Sequence, residues 1–133
     1  MLFRSFCALV SGGFTAFSRE IAAAVGFNET HANELIIKDG TLTGKVREPV
    51  LGKEAKVERL DEFCSRLNLS REDAMSVGDG ANDLPMLKAA GSGIAYHAKP
   101  AVVAECENHI QFGDLTALLY AQGYHIDEFK DGL

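Results

Sequence analysis

The chain has 133 residues, 47% hydrophobic and 24% charged, which fits one globular domain large enough to bury a core. A net charge of −6 argues against nucleic acid as the main partner, and no apolar run is long enough to cross a membrane. Three widely spaced cysteines without a Cys-x-x-Cys pair predict free thiols and a reducing, cytoplasmic location.

Apolar periodicity in the first half of the chain predicts alternating strands and helices. The predicted elements are a buried strand, a helix, a short strand, a hairpin and a second helix, over residues 6–10, 14–25, 32–37, 33–46 and 54–67. Gly26 is expected to end the first helix, and Asp39-Gly40 between two β-prone runs predicts the hairpin turn. Phe14 and Phe17, at helical spacing, are expected to lie in the core.

The second half of the chain continues the alternation. Its predicted elements are three strands and three helices, over residues 74–77, 82–90, 94–96, 100 onward, 109–112 and 114–122. Asp114 is expected to cap the last helix, and residues 124–133 form a polar tail. The pattern predicts an α/β fold with a parallel sheet, helices on both of its faces, and the hairpin as an antiparallel excursion.

The segment Gly78–Leu87 places two carboxylates, an amide and two glycines on one turn between a predicted strand and a predicted helix. Such a turn faces the crevice where open α/β sheets bind ligands. Mg²⁺ takes oxygen ligands, usually one or two carboxylates with water and substrate phosphate. Asp79, directly after the strand, is therefore the candidate metal ligand. Asp83 can reach the water shell of the metal or pair with Lys56, and Asn82 can donate to a phosphate.

Two further segments carry groups suited to an anion. Ser11 and Gly12 supply a hydroxyl and backbone N–H groups just before a helix, whose dipole favours negative charge, although such turns are as common without a ligand. Lys56 lies early in a helix, where the dipole opposes its charge unless an anion is near, and Lys53 is the competing candidate. A lysine, N–H donors and a cation are the parts that phosphoryl transfer requires.

Three motifs match the haloacid dehalogenase superfamily in order: Val-Ser-Gly-Gly-Phe, Glu-Ala-Lys-Val-Glu and Gly-Asp-Gly-Ala-Asn-Asp, starting at Val10, Glu54 and Gly78. The chain resembles this superfamily over about residues 8–123 and, within it, the phosphoserine phosphatase family. The finer resemblance depends on four segments, Ser11–Phe14, Ala32–Leu35, Asp39–Gly44 and Ala98–Pro100. It implies a Rossmann-like parallel sheet, in agreement with the predicted alternation of strands and helices.

The resemblance implies a function and a role for each matching residue. The implied reaction is the Mg²⁺-dependent hydrolysis of O-phosphoserine, a small phosphomonoester, in the last step of serine biosynthesis. Ser11 and the Gly12 N–H would bind the phosphoryl oxygens. Lys56 would neutralise the phosphate and steady an aspartyl-phosphate intermediate.

The acidic motif is assigned to metal binding and catalysis by the same resemblance. Asp79 would ligate Mg²⁺, and Asn82 would contact the substrate phosphate. Asp83 would act with Lys56 in catalysis, supporting both Lys56 and Asp79 from behind the metal site. These assignments agree with the positions of the residues on predicted strand ends and turns.

The first motif of the family, Asp-x-Asp, is absent from the 133 residues. The family places it upstream of Ser11, with its first Asp as nucleophile and its second as general acid and base, followed by a helical cap that reads the substrate. Because only ten residues precede Ser11, we expect a truncated, incomplete core that is inactive alone and marginally stable. A natural chain that binds a partner with the missing motif is the alternative.

Two other functions fit parts of the pattern. A related sugar phosphatase, another phosphomonoesterase or an ATPase phosphorylation domain would share the acidic motif. A non-catalytic module that binds phosphate or Mg²⁺ would need only the binding groups. The oligomeric state stays open at this point.

Overall fold

The computed structural model describes residues 5–129. They divide into two compact units, of which the first ends at Leu69 and the second begins at Ser70. Each unit is described by itself below. A single partial hydrolase core over residues 1–133 stays a prediction. No helix within residues 5–129 is long and apolar enough to span a membrane.

The first unit contains four strands and two helices: β1 (Ala8–Phe14), α1 (Thr15–Val25), β2 (Glu29–Asn33), β3 (Leu35–Lys38), β4 (Thr41–Val46) and α2 (Lys53–Leu67). Strands β1 and β2 are parallel, with Ala8 opposite Glu29 at one end and Phe14 opposite Asn33 at the other. The strand predicted to end before Ser11 in fact continues to Phe14, because pairing resumes there after a register shift that follows Val10.

The single strand predicted over residues 32–37 is wrong, because this segment belongs to two strands. Asn33 ends the parallel pairing with β1, and Leu35 begins antiparallel pairing with β4, opposite Val46. The hairpin itself is confirmed, since β3 and β4 join through Asp39 and Gly40, which have φ angles of 51° and 76°. Both values suit the tight two-residue turn that Asp-Gly favours.

Both helices of the first unit are confirmed, although α1 begins at Thr15, because Phe14 is the last residue of β1, where it is half-buried. Helix α1 buries Ser18 and Ala22 and leaves Phe17 69% exposed, with Ile21 and Val25 also exposed. Placement of Phe17 in the core is therefore wrong, because α1 packs through its small residues. Helix α2 buries Lys56, Phe63 and Cys64.

The second unit contains three strands and three short helices: β5 (Met75–Gly78), α3 (Leu84–Ala89), β6 (Ser92–Tyr96), α4 (Pro100–Val103), β7 (Asn108–Ile110) and α5 (Ala117–Ala121). The three strands are parallel in the order β5-β6-β7. Their core is a buried apolar cluster of Leu87, Ala95, Ala98 and Val102. The α/β class with parallel strands and an antiparallel hairpin is thus confirmed.

Two helix predictions in the second unit need correction at their starts. The helix expected from Asn82 begins as a 3₁₀ turn over Ala81–Asp83 and becomes α-helical only at Leu84. The last helix begins at Ala117 instead of beside Asp114, whose carboxylate accepts a hydrogen bond from the Thr116 N–H at 2.8 Å in the preceding turn. In the tail, residues 126–128 form a 3₁₀ turn, and residues 130–133 lie outside the described range.

Candidate functional site

Ser11 and Gly12 lie in the irregular part of β1, between the paired residues Val10 and Phe14, which we call the Ser11 and Gly12 loop. Ser11 is half-buried and Gly12 is exposed. The Gly13 N–H donates to Ser11 Oγ at 3.0 Å, which fixes the hydroxyl oxygen as an acceptor and leaves its hydrogen able to donate to a ligand. A β-carbon built on Gly12 would meet the Leu51 carbonyl oxygen only at 3.9 Å, so the loop is open on this side.

The first turn of α2 distinguishes the two lysines that the sequence left as competitors. Lys56 is 6% exposed, and its backbone N–H donates to the Gly52 carbonyl at 3.3 Å. The Lys53 side chain is 59% exposed, and its ammonium lies 3.7 Å from a Glu54 carboxylate oxygen. A buried ammonium persists only with anionic or hydrogen-bonding partners, whereas an exposed one is solvated. The two lysines thus differ in burial, and the assignment of Lys56 to the phosphate stays a prediction.

Asn33, at the end of β2, joins these two segments and was given no chemical role from the sequence. Its side-chain amide donates to the carbonyls of Gly12, at 3.0 Å, and of Leu51, at 3.3 Å. Its side-chain oxygen accepts from the Leu51 N–H at 2.6 Å. The sequence draws attention to this residue only through its place in Ala32–Leu35, one of the segments that carry the finer family resemblance.

The acidic turn after β5 is organised by Asp83. This carboxylate is 6% exposed, and its Oδ2 accepts from the backbone N–H groups of Asp79 and Gly80, both at 3.1 Å. A β-carbon on Gly78 would lie 2.5 Å from Asp83 Cβ, so close packing requires glycine there. Asp79 and Asn82 are exposed at the surface of the turn.

This arrangement gives the two aspartates different chemistry. Asp83 Oδ2 is occupied by two backbone donors, so Asp83 shapes the turn from inside. The exposed Asp79 carboxylate can ligate a hard cation, which fits the oxygen chemistry of Mg²⁺. Within residues 5–129, no group of three or more His, Cys, Asp or Glu side chains is placed to hold a metal. Asp79 would thus supply one ligand, with water and phosphate oxygens completing the set.

The best-defined charge cluster of the first unit lies at the other end of β1 and β2. The Glu29 carboxylate accepts from Arg66 and from His31 Nε2, the latter at 2.6 Å. The hydrogen bond from Arg66, followed by that from His31, lowers the pKa of Glu29. The Arg66 guanidinium also lies over the Phe6 and Phe63 rings, 5.5 and 5.4 Å from their centres. None of these contacts involves Ser11.

The structure thus describes two sets of candidate residues, one in each unit. In the first unit, Asn33 links the Ser11 and Gly12 loop to the turn that begins the helix of Lys56. The second unit brings Asp79, Asn82 and Asp83 onto one turn. That the two sets of residues bind the same substrate stays a prediction.

Comparison with known proteins gives one family. Residues 6–88 match the model of the haloacid dehalogenase-like hydrolases. A phosphoserine phosphatase of Idiomarina loihiensis is 42% identical over 112 residues, which cover 84% of this chain and 51% of that protein. The chain spans about half the length of this curated relative.

Solved structures agree with the sequence match. A probable phosphoserine phosphatase of Vibrio cholerae in its unliganded form superposes with a TM-score of 0.80 at 38% identity, covering 84% of this chain and 35% of that one. A phospho-aspartyl intermediate analogue of phosphoserine phosphatase gives a TM-score of 0.79 at 41% identity, with coverages of 86% and 55%.

Proposed function

The chain belongs to the haloacid dehalogenase-like hydrolases, and we propose that it supplies the phosphate- and cation-binding residues of a phosphoserine phosphatase. The substrate would be O-phosphoserine, hydrolysed to serine and phosphate in the cytoplasm as the last step of serine biosynthesis. The observation that carries the proposal is the buried Lys56 on α2, together with the hydrogen bonds of Asn33, which join the Ser11 and Gly12 loop to Leu51, the residue just before the N-terminal cap of that helix. The chain is 38% and 44% identical to two proteins named phosphoserine phosphatase, which supports the proposal.

Residues of the first unit are assigned to the phosphoryl group. The Ser11 hydroxyl and the Gly12 N–H would donate to two phosphoryl oxygens. Lys56 would neutralise charge on the phosphate, and its burial strengthens this interaction because less water screens it. These groups stabilise negative charge that moves between attacking and leaving oxygens, which is the main task in phosphoryl transfer.

Residues of the second unit are assigned to the cation and its surroundings. Asp79 would hold Mg²⁺ through its exposed carboxylate, and Asn82 would donate to the phosphate. When bound, Mg²⁺ would neutralise phosphate charge. Asp83 would keep the turn rigid through its two backbone hydrogen bonds and support Lys56 and Asp79 in catalysis.

The nucleophile is the part that these 133 residues do not contain, because they include no Asp-x-Asp. One related structure is an analogue of a phospho-aspartyl intermediate, so the attacking group in that protein is an aspartate. We therefore expect the 133-residue chain alone to leave O-phosphoserine intact. Activity would need a polypeptide that brings the missing aspartate.

Complementation tests the proposal directly. The 133-residue chain is mixed, or produced together, with the part of the Idiomarina loihiensis relative that this chain does not match, and phosphate release from O-phosphoserine is measured with Mg²⁺. We expect turnover only when both polypeptides are present. Lys56→Ala and Asp79→Asn should abolish it, whereas Lys53→Ala, an exposed lysine three positions earlier, should leave it unchanged.

Two results would overturn this proposal. The first is hydrolysis by the unaccompanied chain at the rate of an intact relative. The second is loss of complemented activity on Lys53→Ala together with retention on Lys56→Ala. Hydrolysis of sugar phosphates by the complemented enzyme is compared with hydrolysis of O-phosphoserine. Preference for sugar phosphates would indicate a related phosphomonoesterase.

The absence of Asp-x-Asp also favours a second candidate, a non-catalytic module that binds phosphate and Mg²⁺. This function predicts tight binding of both by the chain, lost on Asp79→Asn, with no partner able to restore hydrolysis. Calorimetry with Mg²⁺ and inorganic phosphate, set beside the complementation result, distinguishes the two functions.

A further inference from the structure

Asn33 makes three hydrogen bonds to two different loops of the first unit while only 7% exposed. Its partners are all backbone groups, namely the carbonyl of Gly12 and both the N–H and the carbonyl of Leu51. We propose that Asn33 is a positioning residue for phosphate binding. It holds the Ser11 and Gly12 loop and the start of α2 in the geometry that the phosphate requires, an inference that rests on the proposed function.

The link from Asn33 to Ser11 passes through one peptide unit. The Gly12 carbonyl and the Gly13 N–H belong to the same planar group, so fixing the carbonyl fixes the N–H. Asn33 Nδ2 donates to that carbonyl at 3.0 Å, and the Gly13 N–H donates to Ser11 Oγ at 3.0 Å. Asn33 thereby sets the direction of the Ser11 hydroxyl, although the two side chains share no hydrogen bond in the described contacts.

The link from Asn33 to Lys56 passes through the start of α2. Leu51, bonded to Asn33 on both its N–H and its carbonyl, directly precedes Gly52, the N-terminal cap of α2. The Gly52 carbonyl accepts the Lys56 N–H at 3.3 Å. One amide side chain therefore ties the Ser11 and Gly12 loop to the residue that leads into the helix of Lys56. Glycine-rich loops need such external support because their own backbone is flexible.

A second asparagine in the first unit offers a matched control. Asn28 Oδ1 accepts the Cys7 N–H at 2.8 Å, at the opposite end of β1 and β2 from Ser11. Asn28 and Asn33 thus both join the β1 and β2 segments through side-chain-to-backbone hydrogen bonds. Only Asn33 contacts the proposed phosphate loop, so the exposed Asn28 shows what loss of a strand-joining amide does to phosphate affinity when that loop is untouched.

The experiment titrates the 133-residue chain with inorganic phosphate in the presence of Mg²⁺ and follows the Gly12 and Gly13 amide signals by NMR. Asn33→Ala is expected to weaken phosphate affinity by about tenfold or more, because misplaced binding groups lose much of their effect. It should also speed hydrogen exchange at the Leu51 amide. Asn28→Ala should leave phosphate affinity unchanged while speeding exchange at the Cys7 amide.

The outcomes distinguish failure of the positioning role of Asn33 from failure of the proposed function. Unchanged phosphate affinity in a folded Asn33→Ala variant overturns the positioning role and leaves the proposed function standing. Failure of phosphate to shift these amides in the unsubstituted chain overturns both. Asn33→Thr, which suits a strand but cannot span both loops, is expected to show the same loss. Unfolding of both Asn33 variants would assign Asn33 a structural role only and contradict the proposal.

Discussion

In the second unit, Leu87 on α3, Ala95 on β6, Ala98, and Val102 on α4 form a buried apolar cluster. Within residues 5–69 of the first unit, half of the buried residues are polar, namely Ser18, Asn33 and Lys56, beside Ala22, Phe63 and Cys64. Among the described residues, the first unit also exposes eight large apolar side chains within 5–69, against four within 70–129 of the second unit. Both units nevertheless form their candidate sites around one hydrogen-bonded side chain each. In the second unit Asp83 accepts from neighbours in its own turn, whereas in the first unit Asn33 bonds to residues far away in the chain.

Substitution of one glycine in each unit, Gly78 and Gly12, should give the largest difference in stability between the two units. Gly78→Ala would push Asp83 away, since the new β-carbon would lie 2.5 Å from Asp83 Cβ, and the N–H groups of Asp79 and Gly80 would lose their acceptor. We expect a loss of about 4 kcal/mol in the free energy of unfolding, from overpacking and unpaired donors. Gly12→Ala, with 3.9 Å to its nearest neighbour, should cost less than about 1 kcal/mol. Urea denaturation of both variants measures this contrast.

Matched leucines test the apolar core itself. Leu87 is 4% exposed in the cluster of the second unit, whereas Leu42 in β4 is 60% exposed. Leu87→Ala should lower the free energy of unfolding by about 3 kcal/mol, and Leu42→Ala by less than about 0.5 kcal/mol. Equal costs in thermal or urea denaturation would contradict the idea that the apolar core is concentrated in the second unit.

Acid pH should weaken the first unit through Glu29. Its pKa is lowered from 4.5 by hydrogen bonds from Arg66 and His31, so its stabilisation is present above that ordinary value and is lost as pH falls through the lowered pKa. Glu29→Gln should remove this part of the pH dependence. Residue-specific NMR titration measures the pKa, and a Glu29 pKa at or above 4.5 would rule out the effect.

The exposed face of α1 should give the smallest change in stability. Phe17→Ser and Ile21→Ser are expected to alter the free energy of unfolding by less than about 0.5 kcal/mol each, while reducing aggregation, because both side chains face solvent. Ala22→Ser, on the buried side of the same helix, is the control and should cost about 1 kcal/mol. Light scattering measures aggregation, and urea denaturation measures the free energy of unfolding. A large loss of stability in Phe17→Ser would contradict the exposed orientation of this side chain.

Local signals made much of the fold predictable. Asp39-Gly40 specified the hairpin, and Gly26 marked the end of α1, because these turns depend on neighbouring residues alone. The break between β2 and β3 was not predictable, since Asn33 and Leu35 pair with different strands and the change of partner is a long-range property. The buried face of α1 was missed for the same reason. The sequence shows an apolar stripe that includes Phe17, but the helix buries its small residues Ser18 and Ala22 instead.

The candidate residues show the same division. Asp79 and Lys56 stand in patterns whose chemistry can be argued from residue type and position. The role of Asn33 depends on hydrogen bonds to Gly12 and Leu51, which lie 21 and 18 positions away in the chain. Sequence spacing alone gives no warning of such a contact.

The close approach of Gly78 and Asp83 restricts which pairs of residues can occur together at these two positions during evolution. The two positions share a single volume, because a β-carbon on Gly78 would fall 2.5 to 2.7 Å from three atoms of the Asp83 side chain. A lineage that enlarges position 78 must therefore shrink or replace residue 83, and so lose the acceptor that shapes the turn. In a library randomised at both sites, surviving pairs should be correlated instead of independent, with Gly78 retained wherever Asp83 is retained.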